Sequence, residues 1–108
     1  MISAAEAQRF APARCLALRG AHLVVVDGGA PTAGTKARAC ENRIFVLTTE
    51  ADGWSVIDPR GVVLHQGRWP ADPKHVIVDV SLAASKTVAP RTDVICGRRP
   101  EQYRFTDA

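Results

Sequence analysis

Two apolar runs constrain the fold of this 108-residue chain more than any other feature: LVVV at residues 23–26 and IFVLTT at residues 44–49. Continuous runs of β-branched and aliphatic residues are typical of strands that are covered on both faces of a sheet. Between them lie a loop-like segment, DGGAPTAG, and the helical pattern KARACEN, for which Thr35 is the expected N-cap. The chain therefore alternates strands and helices.

Local signals predict the helices that precede the first run. Ser3 and Glu6 have the spacing of a capping box, which indicates a short helix there. A second helix is expected over Pro12–Arg19, because proline suits a first turn and Gly20 suits a helix end. Its expected buried stripe comprises Ala13, Leu16, Ala17 and Gly20, and its arginines, Arg14 and Arg19, are expected to face water.

The second half of the chain reads as strands and a tail. WSVID and VVLHQ flank Asp58-Pro59-Arg60-Gly61, which fits a type I turn and so predicts a hairpin. Residues 75–82, HVIVDVSL, alternate as a strand does. The predicted fold class is therefore α/β, with a mixed sheet covered by helices on one face. We expect a single domain over residues 1–108 with an extended tail over about residues 83–108.

The predicted sheet is too apolar for the helices that accompany it. Two helices cover one face of a sheet, and strands such as LVVV do not favour a bare second face. The sequence therefore predicts a partner, either a second copy of the chain or a complementary segment.

Composition and charge exclude several classes of function. Lys and Arg number 14 against 11 Asp and Glu, and the basic residues are scattered rather than interleaved with aromatics, so no nucleic-acid partner is indicated. No run approaches the ~20 apolar residues of a membrane span, and the N-terminus lacks the pattern of a signal peptide. We expect a cytoplasmic protein without a membrane partner.

The potential ligands and nucleophiles are dispersed. Cys15, Cys40 and Cys96 lack CxxC spacing and do not pair with the histidines in a zinc pattern, so no metal and no cofactor is predicted. Reactive thiols need a base or a positive charge in reach, and free cysteines are more often small core residues. We expect all three to be buried and inert.

Other chemistry-bearing groups have simple structural interpretations. Asp27, Gly28 and Gly29 lack the spacing of a phosphate-binding loop and indicate a plain turn. The indoles of Trp54 and Trp69 are expected in the core or at an interface rather than at a ligand site. Arg98, Arg99 and Glu101 could bind an anion, but an ion-pair network at a subunit contact is favoured.

Five segments resemble, in order and near spacing, the C-terminal half of the carbon-nitrogen hydrolases of the nitrilase superfamily. They are ARCLALRGAHLVVV, RACENRIFVLTT, WSVIDPRGVVL, VIVDVSL and GRRPEQY. The resemblance covers nearly the whole chain from about Arg14. It implies half of an α-β-β-α sandwich. It also implies that Arg38, Glu41 and Asn42 form a structural motif in which the Glu and Asn tie a helix end into the core.

Members of this superfamily hydrolyse nonpeptide carbon-nitrogen bonds with a Glu base, an oxyanion-stabilising Lys and a Cys nucleophile. The Glu and Lys belong to the half that this sequence does not resemble. Counting back from Gly20 puts the nucleophile position at Ala4, with Glu6 near the family's acidic residue and only MIS where a strand should precede it. The loop over residues 27–35 is also shorter than in the family. We therefore expect no catalytic residue in this chain.

Two hypotheses follow from the resemblance. In the first, the chain is part of a carbon-nitrogen hydrolase, truncated or split, and is inactive without a complementary N-terminal half. In the second, it is a noncatalytic scaffold or binding module that keeps the family's oligomerisation surfaces. Family subunits pair by stacking their sandwiches, which makes a homo-oligomer the expected assembly. The expected interface residues are Arg98, Arg99, Glu101 and Tyr103.

Overall fold

The computed structural model describes residues 1–69 and 99–102 and is an α/β fold. A five-stranded mixed sheet packs with three helices in this part of the chain. In chain order the elements are β1 (Ile2–Ser3), α1 (Ala4–Ala7), α2 (Phe10–Leu18), β2 (Leu23–Asp27), α3 (Ala33–Asn42), β3 (Phe45–Glu50), β4 (Gly53–Ile57) and β5 (Val63–Arg68), with a 3₁₀ turn at Pro100–Gln102. The strand predicted over residues 75–82 lies outside the described residues, as does most of the predicted tail.

The sheet has the strand order β1-β2-β3-β4-β5. β1, β2 and β3 run parallel, whereas β4 and β5 return antiparallel as the predicted hairpin. The prediction that only MIS stands before Ala4, with no strand, is wrong, since Ile2 and Ser3 pair with Val26 and Asp27. Two residues carry too little periodicity to be recognised as a strand without their partner.

The core lies between the helices and one face of the sheet. Val24 and Val26 of β2 point into it, whereas Leu23 on the opposite face is 43% exposed. In this single chain the opposite face of the strand is therefore open at Leu23, and its cover by a partner stays a prediction. The buried cluster comprises Ile2, Ala7, Ala13, Val24, Val26, Ala39, Ile44, Val46 and Ile57.

The first two helices begin and end much as predicted. The reciprocal capping box of Ser3 and Glu6 is present at the start of α1. α2 begins at Phe10, two residues before the predicted start, which leaves Pro12 within the first turn where its missing N–H costs nothing. Gly20, at φ +97°, ends the helix as predicted, because its N–H and that of Ala21 bond back to Ala17 and Leu16. Gly20 itself is exposed, so it is not part of the buried stripe.

α3 uses different end residues from those predicted. Thr32, not Thr35, is the N-cap and accepts the N–H of Thr35. The helix ends without glycine because Arg43 adopts the left-handed conformation at φ 56°. The N–H groups of Arg43 and Ile44 then bond to Cys40 and Ala39, the same arrangement that ends α2.

Candidate functional site

The carboxyl ends of the three parallel strands meet at one edge of the sheet. Ser3, Asp27 and Thr49 are in register there. Ligands of α/β proteins bind outside this kind of edge, because the loops that leave the strands converge on it. The position that the resemblance gives to the nucleophile, Ala4, is the first residue after β1 and so lies at this edge.

Ala4 is held against the loop that follows β2. The N–H groups of Gly28 and Gly29 both bond to the Thr49 carbonyl, at 2.8 and 3.1 Å, which folds the loop onto the sheet edge. A Cβ added to Gly29 would stand 2.7 Å from Cβ of Ala4. Ala4 thus carries no nucleophile, and the loop backbone closes over its methyl group.

Glu6 is engaged as a helix cap. Its carboxylate accepts the backbone N–H of Ser3 at 2.8 Å and the Ser3 hydroxyl at 2.9 Å. These hydrogen bonds lower the pKa of Glu6 from its ordinary value, and the bond from the Ser3 backbone N–H has the larger effect. A general base works best with a pKa raised toward the operating pH, so this carboxylate is tuned in the opposite direction.

The cysteines that the structure describes are not core residues. Cys15 on α2 and Cys40 on α3 are both exposed, which makes the expectation of burial wrong for them. The periodicity of α2 could not have revealed this, because nearly all its residues are apolar and no face stands out. Cys96 lies outside the described residues.

The predicted structural motif lies at the opposite end of the sheet, where α3 leads into β3. Arg38 and Glu41 form an ion pair, with Nε and Oε1 2.6 Å apart and a second contact of 3.3 Å from Nη2 to Oε2. Buried Asn42 donates its amide N–H to the Arg38 carbonyl at 2.9 Å. These contacts lie within α3, so the charged pair beside the buried strand finds its partners in its own helix.

The hydrogen bond that joins α2 to α3 comes from an arginine that the sequence predicts to face water. Arg14 of α2 is half-buried and donates from Nη2 to the Glu41 carbonyl at 3.2 Å. An arginine on an apolar helix can reach such a carbonyl because its aliphatic chain packs along the adjacent helix while its guanidinium donates the hydrogen bond. No sequence signal predicts this hydrogen bond, because its acceptor is a backbone carbonyl rather than a particular side chain.

The β4–β5 turn lies close to α3, with Gly61 next to Lys36 and Cys40. As predicted, Gly61 donates its N–H to the Asp58 carbonyl at 2.9 Å. The Asp58 carboxylate accepts the N–H groups of Arg60 and Val62 and pairs with the Arg60 guanidinium at 2.7 Å. Burial disfavours the charged carboxylate and by itself would raise the pKa of Asp58. The hydrogen bond from the Val62 N–H, followed by those from Arg60, outweighs burial, so the pKa of Asp58 is lowered.

An open pocket of about 400 Å³ lies where β3 ends and the hairpin begins. Sequence reasoning missed it, because its walls come from one loop and three strands. Its size suits a small polar molecule. The indole of Trp54, which is half-buried and packs over Gly67, belongs to the wall, whereas Trp69 is exposed. The lining includes Pro31, Glu50, Trp54, Ser55, Gln66 and Arg68.

Two of the expected interface residues fall within the described part of the chain. Both are exposed: Arg99 directly precedes the 3₁₀ turn and Glu101 lies within it. Gln102 donates its N–H to the Arg99 carbonyl at 2.9 Å. Arg98 and Tyr103 lie outside the described residues. The interface assignment stays a prediction.

Comparisons with known proteins add no relative: no protein-family model matches the sequence, and no curated protein matches it. In residues 1–69 and 99–102, no group of three His, Cys, Asp or Glu side chains is arranged to hold a metal ion. No helix in those ranges has the length and apolar character needed to cross a membrane.

Proposed function

We propose that this chain is the C-terminal half of a nitrilase-type carbon-nitrogen hydrolase and is inactive by itself. In this proposal its sheet and helices form one half of an α-β-β-α sandwich. The catalytic Glu and Lys are supplied by a complementary N-terminal half, on another segment or another chain, in the cytoplasm. That half also supplies a Cys, because the position that the resemblance gives to the nucleophile in this chain is occupied by Ala4. The order of elements, with two parallel strands, a connecting helix and a hairpin, supports the proposal together with the five similar segments.

The observation that carries the proposal is the junction between β1 and α1. The strand β1 precedes Ala4, so Ala4 lies at a strand-to-helix turn at the carboxyl edge. This is where the hydrolase proposal expects the nucleophile. This strand-to-helix turn supports the proposal, and an alanine at this position supplies no reacting atom. Loss of the nucleophile and its partners removes nearly all of the rate enhancement of such an enzyme.

The assembly is proposed on the same grounds. A complementary half, or a second copy of the chain, would cover the sheet face that lacks the three helices. Arg98, Arg99, Glu101 and Tyr103 are the proposed contacts of the C-terminal segment. Deleting residues 97–108 is expected to weaken the assembly, and light scattering at micromolar concentration measures it.

The test is ammonia release from a panel of short amides and nitriles. We expect none from the chain alone and measurable release when it is mixed with the product of a neighbouring reading frame that encodes a Glu, Lys and Cys half. Ammonia release by the chain alone, lost in Cys15→Ser or Cys40→Ser, would overturn the proposal, because one of the exposed thiols would then be the nucleophile.

A noncatalytic scaffold is the second candidate. The observation that favours it is the closure of the loop over Ala4 combined with the use of Glu6 as a cap, since both leave the edge suited to stability rather than turnover. Absence of a neighbouring Glu, Lys and Cys reading frame, with a stable assembly of the chain by itself, would favour the scaffold over the hydrolase half.

A further inference from the structure

The open pocket of about 400 Å³ at the end of β3 is lined by side chains of both charges. Glu50 contributes a carboxylate at the end of β3, and Arg68 contributes a guanidinium at the end of β5. Ala30 and Pro31, in the loop that precedes α3, add apolar surface. A small ligand in this pocket therefore meets a negative group, a positive group and an apolar wall.

The register of the sheet sets the spacing of these two charged residues. Glu50 pairs with Gly53, and Gly53 pairs with Arg68, so the three residues form one row across β3, β4 and β5. Residues that pair across strands share a face of the sheet, and neighbouring strands are about 4.8 Å apart, which separates the two charged backbones by about 10 Å. The residue between them is a glycine, so the row itself places no side chain between the opposite charges.

The Glu50 carboxylate is available to a ligand. Glu50 is half-buried, and within residues 1–69 and 99–102 its carboxylate takes part in no hydrogen bond or ion pair. Arg68 already has a partner, but a guanidinium carries several N–H donors and can bind a carboxylate as well. Because a partly buried charge is stabilised by an opposite charge that reaches it, the pocket favours a ligand with an ammonium group beside Glu50.

Ser55 adds a hydrogen-bond donor to the pocket. Its hydroxyl and that of Thr48 are buried and bonded to each other. Two hydroxyls carry two protons, of which this bond uses one, and the described part of the chain gives the other proton no acceptor. Because Ser55 lines the pocket, a ligand oxygen can accept its proton while Ser55 accepts that of Thr48. A ligand with an acceptor oxygen would thus satisfy both buried hydroxyls.

We propose that this pocket binds a free α-amino acid with a short apolar side chain. The ammonium group of the ligand bonds to the Glu50 carboxylate, and the ligand carboxylate bonds to the Arg68 guanidinium and the Ser55 hydroxyl. A charged hydrogen bond of about 2.8 Å at each end lets such a zwitterion bridge the two charged side chains. The ligand side chain lies against Pro31. The proposal does not depend on the hydrolase proposal, because no residue of β1 or α1 lines the pocket.

Titration of the full chain, followed by the backbone amide signals in NMR spectra, tests the ligand class. L-alanine is the probe, ethylamine is the matched compound without the carboxylate, and propionate is the matched compound without the ammonium group. We expect L-alanine to shift the amide signals of Ser55 and Gly67 with a dissociation constant of roughly millimolar order, as suits so small a ligand. Each matched compound should bind at least about tenfold more weakly. Equal binding of either matched compound, or no shift with L-alanine, would overturn the proposal.

Two variants test which residue holds which end of the ligand. Glu50→Gln should remove the advantage of L-alanine over propionate, and Arg68→Gln should remove its advantage over ethylamine. The control is Asp52→Asn, which neutralises an exposed carboxylate outside the pocket lining and should bind L-alanine as the unchanged chain does. The dispersion of the same amide signals shows that each variant is folded. An unchanged preference for L-alanine in Glu50→Gln, or an equal loss in Asp52→Asn, would show that the Glu50 carboxylate does not hold the ligand.

Discussion

The two ends of the sheet differ in how their polar groups are used. At the amino end of β3, the Asn42 side-chain N–H and the Asp58 carboxylate are buried and bonded to nearby backbone groups. At the carboxyl edge, the polar groups of Ser3 and Glu6 are exposed and satisfy only each other. Buried, bonded polar groups support a fold, whereas exposed groups at a carboxyl edge are available for chemistry. In this chain the buried, bonded polar groups lie at the amino end, and Ala4 at the carboxyl edge carries only a methyl group.

The largest effect should come from the amino end. Asp58→Ala removes the acceptor of the Arg60 and Val62 N–H groups and is expected to lower the free energy of unfolding by about 2–3 kcal/mol. Asp27→Ala is the matched control at the carboxyl edge, where the exposed carboxylate accepts one bond from Thr49, and should cost less than about 0.5 kcal/mol. Urea titration measures both, and equal losses would contradict the distinction between the ends.

The same carboxylate should make stability depend on pH. The pKa of Asp58 is lower in the folded chain than its ordinary value near 3.8, so its contribution is complete above that value and is lost as pH falls through the folded pKa. Asp58→Asn should therefore flatten the loss of stability below about pH 4. Unfolding midpoints between pH 2 and pH 5 provide the readout, and an unchanged slope would mean that other groups carry the acid sensitivity.

At the carboxyl edge, the contact between Ala4 and Gly29 can be broken and restored. Gly29→Ala is expected to cost about 1–2 kcal/mol, because the added methyl meets that of Ala4. Ala4→Gly should recover part of this loss in the double variant. A double-mutant cycle with no coupling between the two positions would show that the loop does not close over Ala4.

Apart from the Asp27→Ala control, the smallest effect belongs to the exposed cap. Ser3→Ala removes the side-chain acceptor of the Glu6 N–H and the hydroxyl donor to its carboxylate, at an expected cost of about 0.5–1 kcal/mol. Thermal unfolding detects this change. A loss as large as that of Asp58→Ala would mean that the junction before Ala4 is a main support of the fold.

Features determined by a few adjacent residues could be predicted from the sequence. The capping box, the glycine end of α2 and the Asp58–Gly61 turn are of this kind, because the residues that define them also make their bonds. The left-handed end of α3 could not be predicted, since Arg43 adopts a conformation that its residue type disfavours. Neither could β1, which exists through its pairing with β2.

The candidate site was harder to predict from the sequence than the fold, because its residues are brought together by packing between segments that are distant in the sequence. The assignment of Ala4 to the nucleophile position rests on the family resemblance alone. Its contact with Gly29 requires a loop 25 residues away to fold back. The exposure of Cys15 could not be inferred either, because an apolar helix gives no signal for which side meets the core. Arg14 had no recognisable partner, since it bonds a carbonyl rather than a side chain.

Intact-protein mass spectrometry after incubation with short amides and nitriles tests the central claim most directly, because a cysteine hydrolase passes through an acyl-enzyme. The account predicts that the chain alone keeps its unmodified mass with every compound, since Ala4 offers no thiol and the Glu6 carboxylate is engaged by Ser3. An acyl adduct on Cys15 or Cys40 that forms and decays as ammonia is released would contradict it.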